Sequence, residues 1–541
     1  MSEPGGRPGS SEGLAPYDDP SVILSPVADP GAAALGASGA EASVEAAWPV
    51  LLRRRVQRRA TASARYRWWV LGSLLAGLLA LNITFTVFVV ALPTVARQLH
   101  TNISVLTWTS TGPLLAFGLA APILGKAGDL FGHRRLYLFG LAGAMVSAVL
   151  TALAPTAGVL LVARALDGVQ GAATGTASMA LILDVFSPAE RVKALGWWSL
   201  VGAGGPVIGV SLGSPIIQFL GWRALFWGQL GLLVVSTAVV LLVLPAHGRH
   251  AVAESGRPDG DAGGWRQMDW VGSWTLSGAV TALMLALSVA PHTGWSSPAV
   301  VGALVASAVA GVVFVHRLRT ARYPLIAPRY FARRNFVLPM AMRGCTNFAY
   351  FGAFFLFPLL MEEVYGYREV QVGLVSIVRP LLFALSAPVA GYLAVRIGER
   401  VSAVAGAASV TASMVLFALL TPSSTLALVV VALALAGAGM GVALPSTSAT
   451  MANEVSASEY GIMTAAQLLA TQVGEVAGIQ VLQTIQLSSA HRQLHRGALA
   501  PAALLGSFRV AFVVGAVVAL VGVACALGIR DTPRPAPDPA A

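Results

Sequence analysis

Gly125-Lys-Ala-Gly-Asp129-Leu-Phe-Gly132-His-Arg134-Arg135 is a short polar, basic stretch between two long apolar runs. An imperfect copy, Gly391-Tyr-Leu-Ala-Val395-Arg396-Ile-Gly398-Glu-Arg400, stands much later in the chain, again between apolar runs. The copies align at Gly125 with Gly391, Gly132 with Gly398 and Arg134 with Arg400. Glycine at the two fixed positions permits a tight turn and a close helix approach. A repeated basic loop in so apolar a chain points to two related membrane bundles, the architecture in which one half rocks against the other.

Composition leads to the same reading. Of 541 residues, 56% are hydrophobic and 11% are charged, against about 25% charged in soluble domains. Mean hydropathy is +0.73. A spanning helix takes roughly 20 apolar residues. Fourteen such runs are present, near 68–92, 105–125, 136–154, 157–182, 194–217, 223–244, 269–290, 297–316, 336–360, 370–395, 401–420, 425–446, 461–484 and 507–528. The third and fourth are divided by little more than Pro155. Long continuous runs favour helices over a barrel of short alternating strands. The expected fold is all-α and integral to the membrane.

The runs divide the chain. Residues 1–67 read as a disordered, basic cytoplasmic tail, 68–244 as a six-helix bundle and 245–268 as a cytoplasmic linker. Residues 269–335 hold two inserted helices and a basic loop. Residues 336–528 form a second six-helix bundle, and 529–541 a Pro-rich disordered tail. The N-terminal segment does not read as a cleavable signal, because its basic cluster comes late and the run behind it is a full span.

Net charge is +11. With both termini placed in the cytoplasm, the outer loops hold only six of the 35 Lys and Arg: Arg97, Arg223, Arg368, Arg492, Arg496 and Arg509. That asymmetry follows the positive-inside rule. The cluster Arg53–Arg59 reads as a topology anchor at anionic lipid headgroups, and no nucleic-acid-binding fold accompanies it. Cys345 and Cys525 lie inside spans and suit packing, with no disulfide or metal spacing. No Gly-x4-Gly-Lys-Ser/Thr loop, Gly-x-Ser-x-Gly elbow or His-Glu-x-x-His pair occurs. ATP-driven pumping and enzyme chemistry therefore have no support, and no cofactor or metal is expected.

Four patches carry a resemblance. They are Gly125–Arg135, Arg164-Ala-Leu-Asp167-Gly168-Val-Gln170-Gly171 in the fourth span, the Gly/Pro run Gly202–Pro215 of the fifth with Trp222-Arg223 after it, and Ala91-Leu92-Pro93. With them the chain resembles the major facilitator superfamily, in its fourteen-helix drug:proton antiporter (multidrug efflux) branch. The resemblance covers roughly 68–528. It implies the major facilitator fold of two six-helix bundles with two helices inserted between them, a central cavity and proton-driven export. The chain departs from the family pattern in four places. Asn82 stands where an Asp is usual, Asp167 replaces a Gln, Leu130 replaces a basic residue, and Gly209-Val210 occupies the usual Gly-Pro.

Candidate residues follow from chemistry. Asp129 can cap a helix or pair with arginine across a bundle interface. Gly125, Asp129, Gly132, Arg134 and Arg135 read as a conformational latch, with a static turn as the simpler alternative. Gly205, Gly209 and Gly213 share one helical face beside Pro206, giving close packing or a hinge. A charge at mid-membrane costs about 2.5–3.5 kcal/mol and needs a partner or a wet cavity. Arg164 and Asp167, three apart, are either a permanent pair or a proton carrier with its tuning partner. Glu475 sits on the polar stripe Gln467, Thr471, Glu475 and Gln483 with no basic neighbour in its own helix. It reads as a proton-coupling or substrate group, or as the partner of Arg343 or Arg379. Asn82, Arg343, Arg379 and Gln467 are candidate cavity contacts. If both arginines face the cavity unpaired, an anionic or zwitterionic substrate follows. Trp68, Trp69, Trp222, Trp270 and Trp295 read as interfacial anchors, and Asp269 as a helix-start residue.

The expectation is a proton-coupled exporter of amphipathic small molecules in the cytoplasmic membrane, its partners being substrate, protons and lipid bilayer. Two alternatives differ in class. One is an exporter or flippase of a lipid or a biosynthetic metabolite such as an antibiotic. The other is a non-transporting scaffold or sensor.

Overall fold

A computed structural model describes residues 65–101, 103–244, 268–495 and 500–530, all within one compact unit, Arg53–Ala541. The Arg53–Arg59 cluster, nearly all of the 245–268 linker and most of the C-terminal tail lie outside the described residues.

Apolar runs of this length have one way to satisfy their backbone in lipid, as helices. Among the described residues every regular element is helical. The first half holds α1 Tyr66–Gln98, α2 Ile103–Phe131, α3 His133–Leu153, α4 Ala157–Val185, α5 Pro188–Leu220 and α6 Trp222–Val243. Two helices follow, α7 Trp270–Thr293 and α8 Pro298–Thr320. The second half holds α9 Arg334–Glu363, α10 Glu369–Ser376, α11 Val378–Ile397, α12 Glu399–Ala418, α13 Leu426–Ala452, α14 Tyr460–His495 and α15 Ala500–Leu527. The pair α10 and α11 makes one span interrupted at Ile377. Pro380 is the cause, since its ring clashes with the Ser376 carbonyl and it has no N–H. Among the described residues the fold is two six-helix bundles with two inserted helices, fourteen long helices when α10 and α11 are taken as one.

The polar stretch read as a loop is mostly helix. The segment Gly125–Phe131 is the last two turns of α2, and the chain turns at Gly132 alone, with φ 96°. Its counterpart Gly398 turns α11 into α12 with φ 98°. Both positions lie in a region that glycine occupies at no steric cost. Helices outlast the apolar runs because polar residues continue the backbone ladder beyond the hydrocarbon. Pro155 likewise lies in a short break between Leu153 and Ala157, so the third and fourth spans are separate.

The packing repeats with the sequence. In the first half α1 lies on α5 and α6, α2 on α4, and α3 on α4 and α6. In the second half α9 lies on α14 and α15, α11 on α13, and α12 on α13 and α15. The halves meet through α2 with α14 and α5 with α11, and α7 packs on α2 and α14, along the first of these seams. Small residues let the helices approach. Gly474 faces Gly344, and a Cβ on Gly478 would overlap the Phe348 carbonyl, so α9 and α14 touch backbone to backbone. Gly478→Ala is expected to force the pair apart at an overpacking cost of about 1–3 kcal/mol. The readout is the thermal midpoint of the detergent-solubilised protein, and an unchanged midpoint would contradict this contact.

Val301, Val305, Val309 and Val312 of α8 are exposed, a face suited to lipid. Among the described residues, 11 helices are long and apolar enough to cross a membrane. The three remaining long helices are α4, α5 and α14, and buried polar side chains lie on α4 and α14 as well as on α9, α11 and α13. Asp269 caps α7, accepting from Gly272 N–H at 2.9 Å, and pairs with Arg317. Trp222 departs from its expected place at the interface. It is 1% exposed, donates to Gln98 at 2.8 Å and lies under the Arg223 guanidinium. Its indole N–H finds a protein partner, so no contact with the headgroup layer is needed. Cys345 and Cys525 are free thiols.

Candidate functional site

The Gly132 end of the bundle is bolted across the two halves. Asp129 ends α2 with its carboxylate against the start of α14. Its Oδ1 accepts from Gly461 N–H at 2.7 Å and its Oδ2 from Ile462 N–H at 3.0 Å, while His133 Nε2 is 3.4 Å from Oδ1. The first N–H groups of a helix have no partner within it, and their dipole favours an anion. Of the two roles open to Asp129, the structure has the helix cap. Gly125 makes room, since a Cβ there would lie 2.7 Å from the Gly461 carbonyl oxygen and 2.6 Å from Ala465 Cβ. Arg134 Nε donates to the Leu244 carbonyl at the end of α6 (3.1 Å), and Arg135 is exposed.

The repeat reproduces this contact without the charge. A Cβ on Gly391 of α11 would lie 2.7 Å from the Val192 carbonyl oxygen of α5. At the position of Asp129 stands Val395. The α5–α11 seam therefore closes by packing and by Lys193 Nζ over the Tyr392 ring at 5.5 Å, and the α2–α14 seam by packing and two charge-assisted hydrogen bonds.

A second cross-half tie was not readable from the motifs. Arg191 of α5 donates to Asn453 Oδ1 at 2.9 Å and to the Tyr460 hydroxyl, and its guanidinium lies over the Tyr460 ring. Thr464 Oγ1 donates to the Thr176 carbonyl at 3.2 Å. Glu399, beside the second turn glycine, accepts from Thr450 Oγ1 at 2.7 Å. Among the described residues, the hydrogen bonds joining the first half to the second lie at this end. The only signal for Arg191 was a basic residue in the first turn of the fifth span.

The interior charges divide between the halves. In the first, Arg164 Nη1 donates to Asp167 Oδ2 and Ser147 Oγ to Asp167 Oδ1, both at 2.5 Å. The two residues are paired in this state. In the second, Arg343 is 2% exposed and bonds hydroxyls alone: Nε to Thr471 Oγ1 at 2.7 Å and Nη1 to Ser448 Oγ at 3.0 Å. Arg379, 1% exposed, donates Nη2 to the Tyr350 carbonyl and lies 3.7 Å from the Tyr350 ring centre and 5.1 Å from that of Phe354. Its Nε and Nη1 have no hydrogen-bond partner. Neither arginine pairs with Glu475. Among the described residues Glu475 has no ion pair or hydrogen bond, and it lies within Coulombic range of Tyr350. Side chains of α9, α11 and α14 thus converge at Tyr350.

The other candidates sit apart from that convergence. Asn82 spends its amide N–H on the Leu78 carbonyl at 2.8 Å and packs against Gly205 of α5. Gln467 is fully buried, donates to Met451 Sδ at 3.3 Å and leaves its Oε1 unpaired. The helix α5 continues through Pro206, Gly209 and Gly213, whose surroundings lie outside the described side chains.

Residues 73–479 match the family model described as Major Facilitator Superfamily. The chain belongs to the Major Facilitator Superfamily. It is therefore a multi-pass membrane transporter and not an enzyme. Puromycin resistance protein pur8 of Streptomyces alboniger is 30% identical over 443 residues, 81% of this chain and 85% of that one. The tetracenomycin C resistance and export protein of Streptomyces glaucescens is 25% identical over 421 residues, 78% of this chain and 76% of that one. The solved structure of the human organic anion transporter MFSD10 (TETRAN) superposes with a TM-score of 0.57 over 85% of this chain and 99% of that one. At 16% identity that likeness shows the Major Facilitator fold alone.

Proposed function

We propose that the chain is a proton-coupled exporter of amphipathic small molecules in the cytoplasmic membrane, with both termini and the Gly132 end in the cytoplasm. The side assignment rests on the concentration of Lys and Arg at that end. Export is supported by the resistance and export proteins that the chain resembles. In this reading the structure is the state closed to the cytoplasm, and Asp129 is the latch that holds it.

The observation that carries proton coupling is Glu475. A carboxyl inside a membrane bundle is costly to leave charged and unpaired, yet among the described residues it has no ion pair. Such a group can take a proton in one state and lose it in the other. Asp167 is the second candidate, with Arg164 as its tuning partner. Inward movement of one proton yields about 2.3 kcal/mol per 100 mV.

The test is transport by the purified protein in proteoliposomes with an imposed pH gradient. Uptake of an amphipathic dye is expected when the gradient runs in the antiport direction and to cease when a protonophore collapses it. Equal transport with and without the gradient would overturn the coupling.

A further inference from the structure

We infer that the substrate class is an amphipathic acid, whose anionic group binds Arg379 over the Tyr350–Phe354 aromatic shelf. The inference rests on the export reading and names what is exported.

Among its described residues, the second half of the molecule buries two guanidinium groups and supplies neither with a carboxylate. A buried charge without a counter-charge is among the costliest features a fold can carry. Arg343 is at least satisfied by two hydroxyls. Arg379 is not: two of its three nitrogens are buried without a hydrogen-bond acceptor. Buried donors in native proteins are nearly always paired, so an orphaned pair calls for an acceptor that comes and goes.

The placement of Arg379 is built in. A Cβ on Gly437 of α13 would overlap the Arg379 carbonyl, so α11 is seated directly on α13 at this residue. From there the side chain reaches across to α9, where the Tyr350 carbonyl and ring fix it. Phe383 packs edge-on to Tyr350 with ring centres 6.0 Å apart, and Phe351 edge-on to Phe354 at 6.5 Å. The result is a fixed cation with free donors beside aromatic rings. A carboxylate, or an acidic phenol or enol, attached to an apolar body has the matching chemistry.

The groups facing this point from neighbouring elements leave the cation uncompensated. They are Tyr350 of α9 and Glu475 of α14, the latter in range of Tyr350 and, among the described residues, in no ion pair with Arg379.

The test uses the full chain in nanodiscs and three matched probes: pyrenebutyrate, its methyl ester, and pyrenylmethyl-trimethylammonium. Binding is measured against empty nanodiscs. Wild type is expected to bind the carboxylate at least about tenfold more tightly than the ester or the ammonium probe. Arg379→Gln is expected to remove that preference, weakening the carboxylate by about thirtyfold or more, with the ester unchanged. Arg379→Lys should retain part of it. Equal binding of carboxylate and ester by wild type would overturn the inference, and so would an Arg379→Gln loss shared by all three probes, which marks a structural arginine. Proteoliposome transport separates this inference from the reading beneath it. If the ammonium probe moves against protons and the carboxylate does not, the acid class falls and export stands. If the carboxylate binds through Arg379 and no probe follows the pH gradient, proton-coupled export falls and the anion site stands.

Discussion

Glu475→Gln is expected to abolish gradient-driven transport, to the rate of protein-free vesicles, while leaving substrate binding and folding intact. The amide keeps the size and polarity of the side chain and removes the proton that can be released. Because Glu475 makes no ion pair or hydrogen bond among the described residues, nothing in the packing depends on its charge. Exchange of labelled for unlabelled substrate without a gradient should survive, since that half-cycle needs no proton step. Asp167→Asn supplies the contrast. It weakens a formed contact and leaves Arg164 undercompensated, a loss of about 3–5 kcal/mol when a buried pair is broken. Its expected effect is therefore reduced yield of folded protein, seen by size-exclusion chromatography, along with any loss of transport. A Glu475→Gln protein that still accumulates substrate in response to pH would remove this residue from the coupling mechanism.

Gly461→Val is expected to lock the molecule open at the Gly132 end and to stop transport. A Cβ at that position would overlap the Gly125 carbonyl and lie 2.7 Å from Asp129 Oδ1, so the closed contact between α2 and α14 has no room for it. Asp129→Ala removes the cap without adding bulk. Loss of an N-cap costs about 0.5–2 kcal/mol, which shifts the balance of the two states by about two- to thirtyfold. The readout is maleimide labelling of Thr464→Cys, in a chain whose Cys345 and Cys525 are replaced by Ala. Thr464 of α14 is buried against α4, its hydroxyl donating to the Thr176 carbonyl. Labelling should rise modestly with Asp129→Ala and strongly with Gly461→Val. Unchanged labelling in both would show that the seam does not open during the cycle.

The fold was readable because its signals are local. Apolar runs of bilayer length announce spans, and the repeated glycines announce two halves. The interior of the repeat was misread as a loop, because polarity marks the edge of the hydrocarbon and not the end of a helix. The break at Ile377 shows the opposite case, in which Pro380 acts on a carbonyl four residues back and leaves a local mark.

The site was readable only in its residue types. Arg343, Arg379 and Glu475 stood out as charges inside spans, but whether they pair is decided by which faces of α9, α11 and α14 meet. Asp129 was identified as a cap or an ion-pair partner, and its recipient was hidden. The N–H groups of Gly461 and Ile462 lie 332 and 333 positions away, and any helix start offers the same donors. Arg191 was missed for a related reason, since its partners Asn453 and Tyr460 belong to the other half. Trp222 was misplaced because a span-end tryptophan looks the same whether it faces headgroups or Gln98.

Val395 in the place of Asp129 has a mechanical consequence. The Gly391–Val192 crossing is held by close packing and by the Lys193 ammonium 5.5 Å from the Tyr392 ring centre, contacts that weaken smoothly as atoms part. The Gly125–Gly461 crossing carries directional bonds that are either made or lost. The two seams should therefore yield in order: the α5–α11 side gives gradually, and the α2–α14 side releases in a single step when Asp129 lets go. The halves would swing as on an uneven pair of hinges, with the timing of the stroke set by the Asp129 carboxylate together with the Arg191 tie to Asn453 and Tyr460.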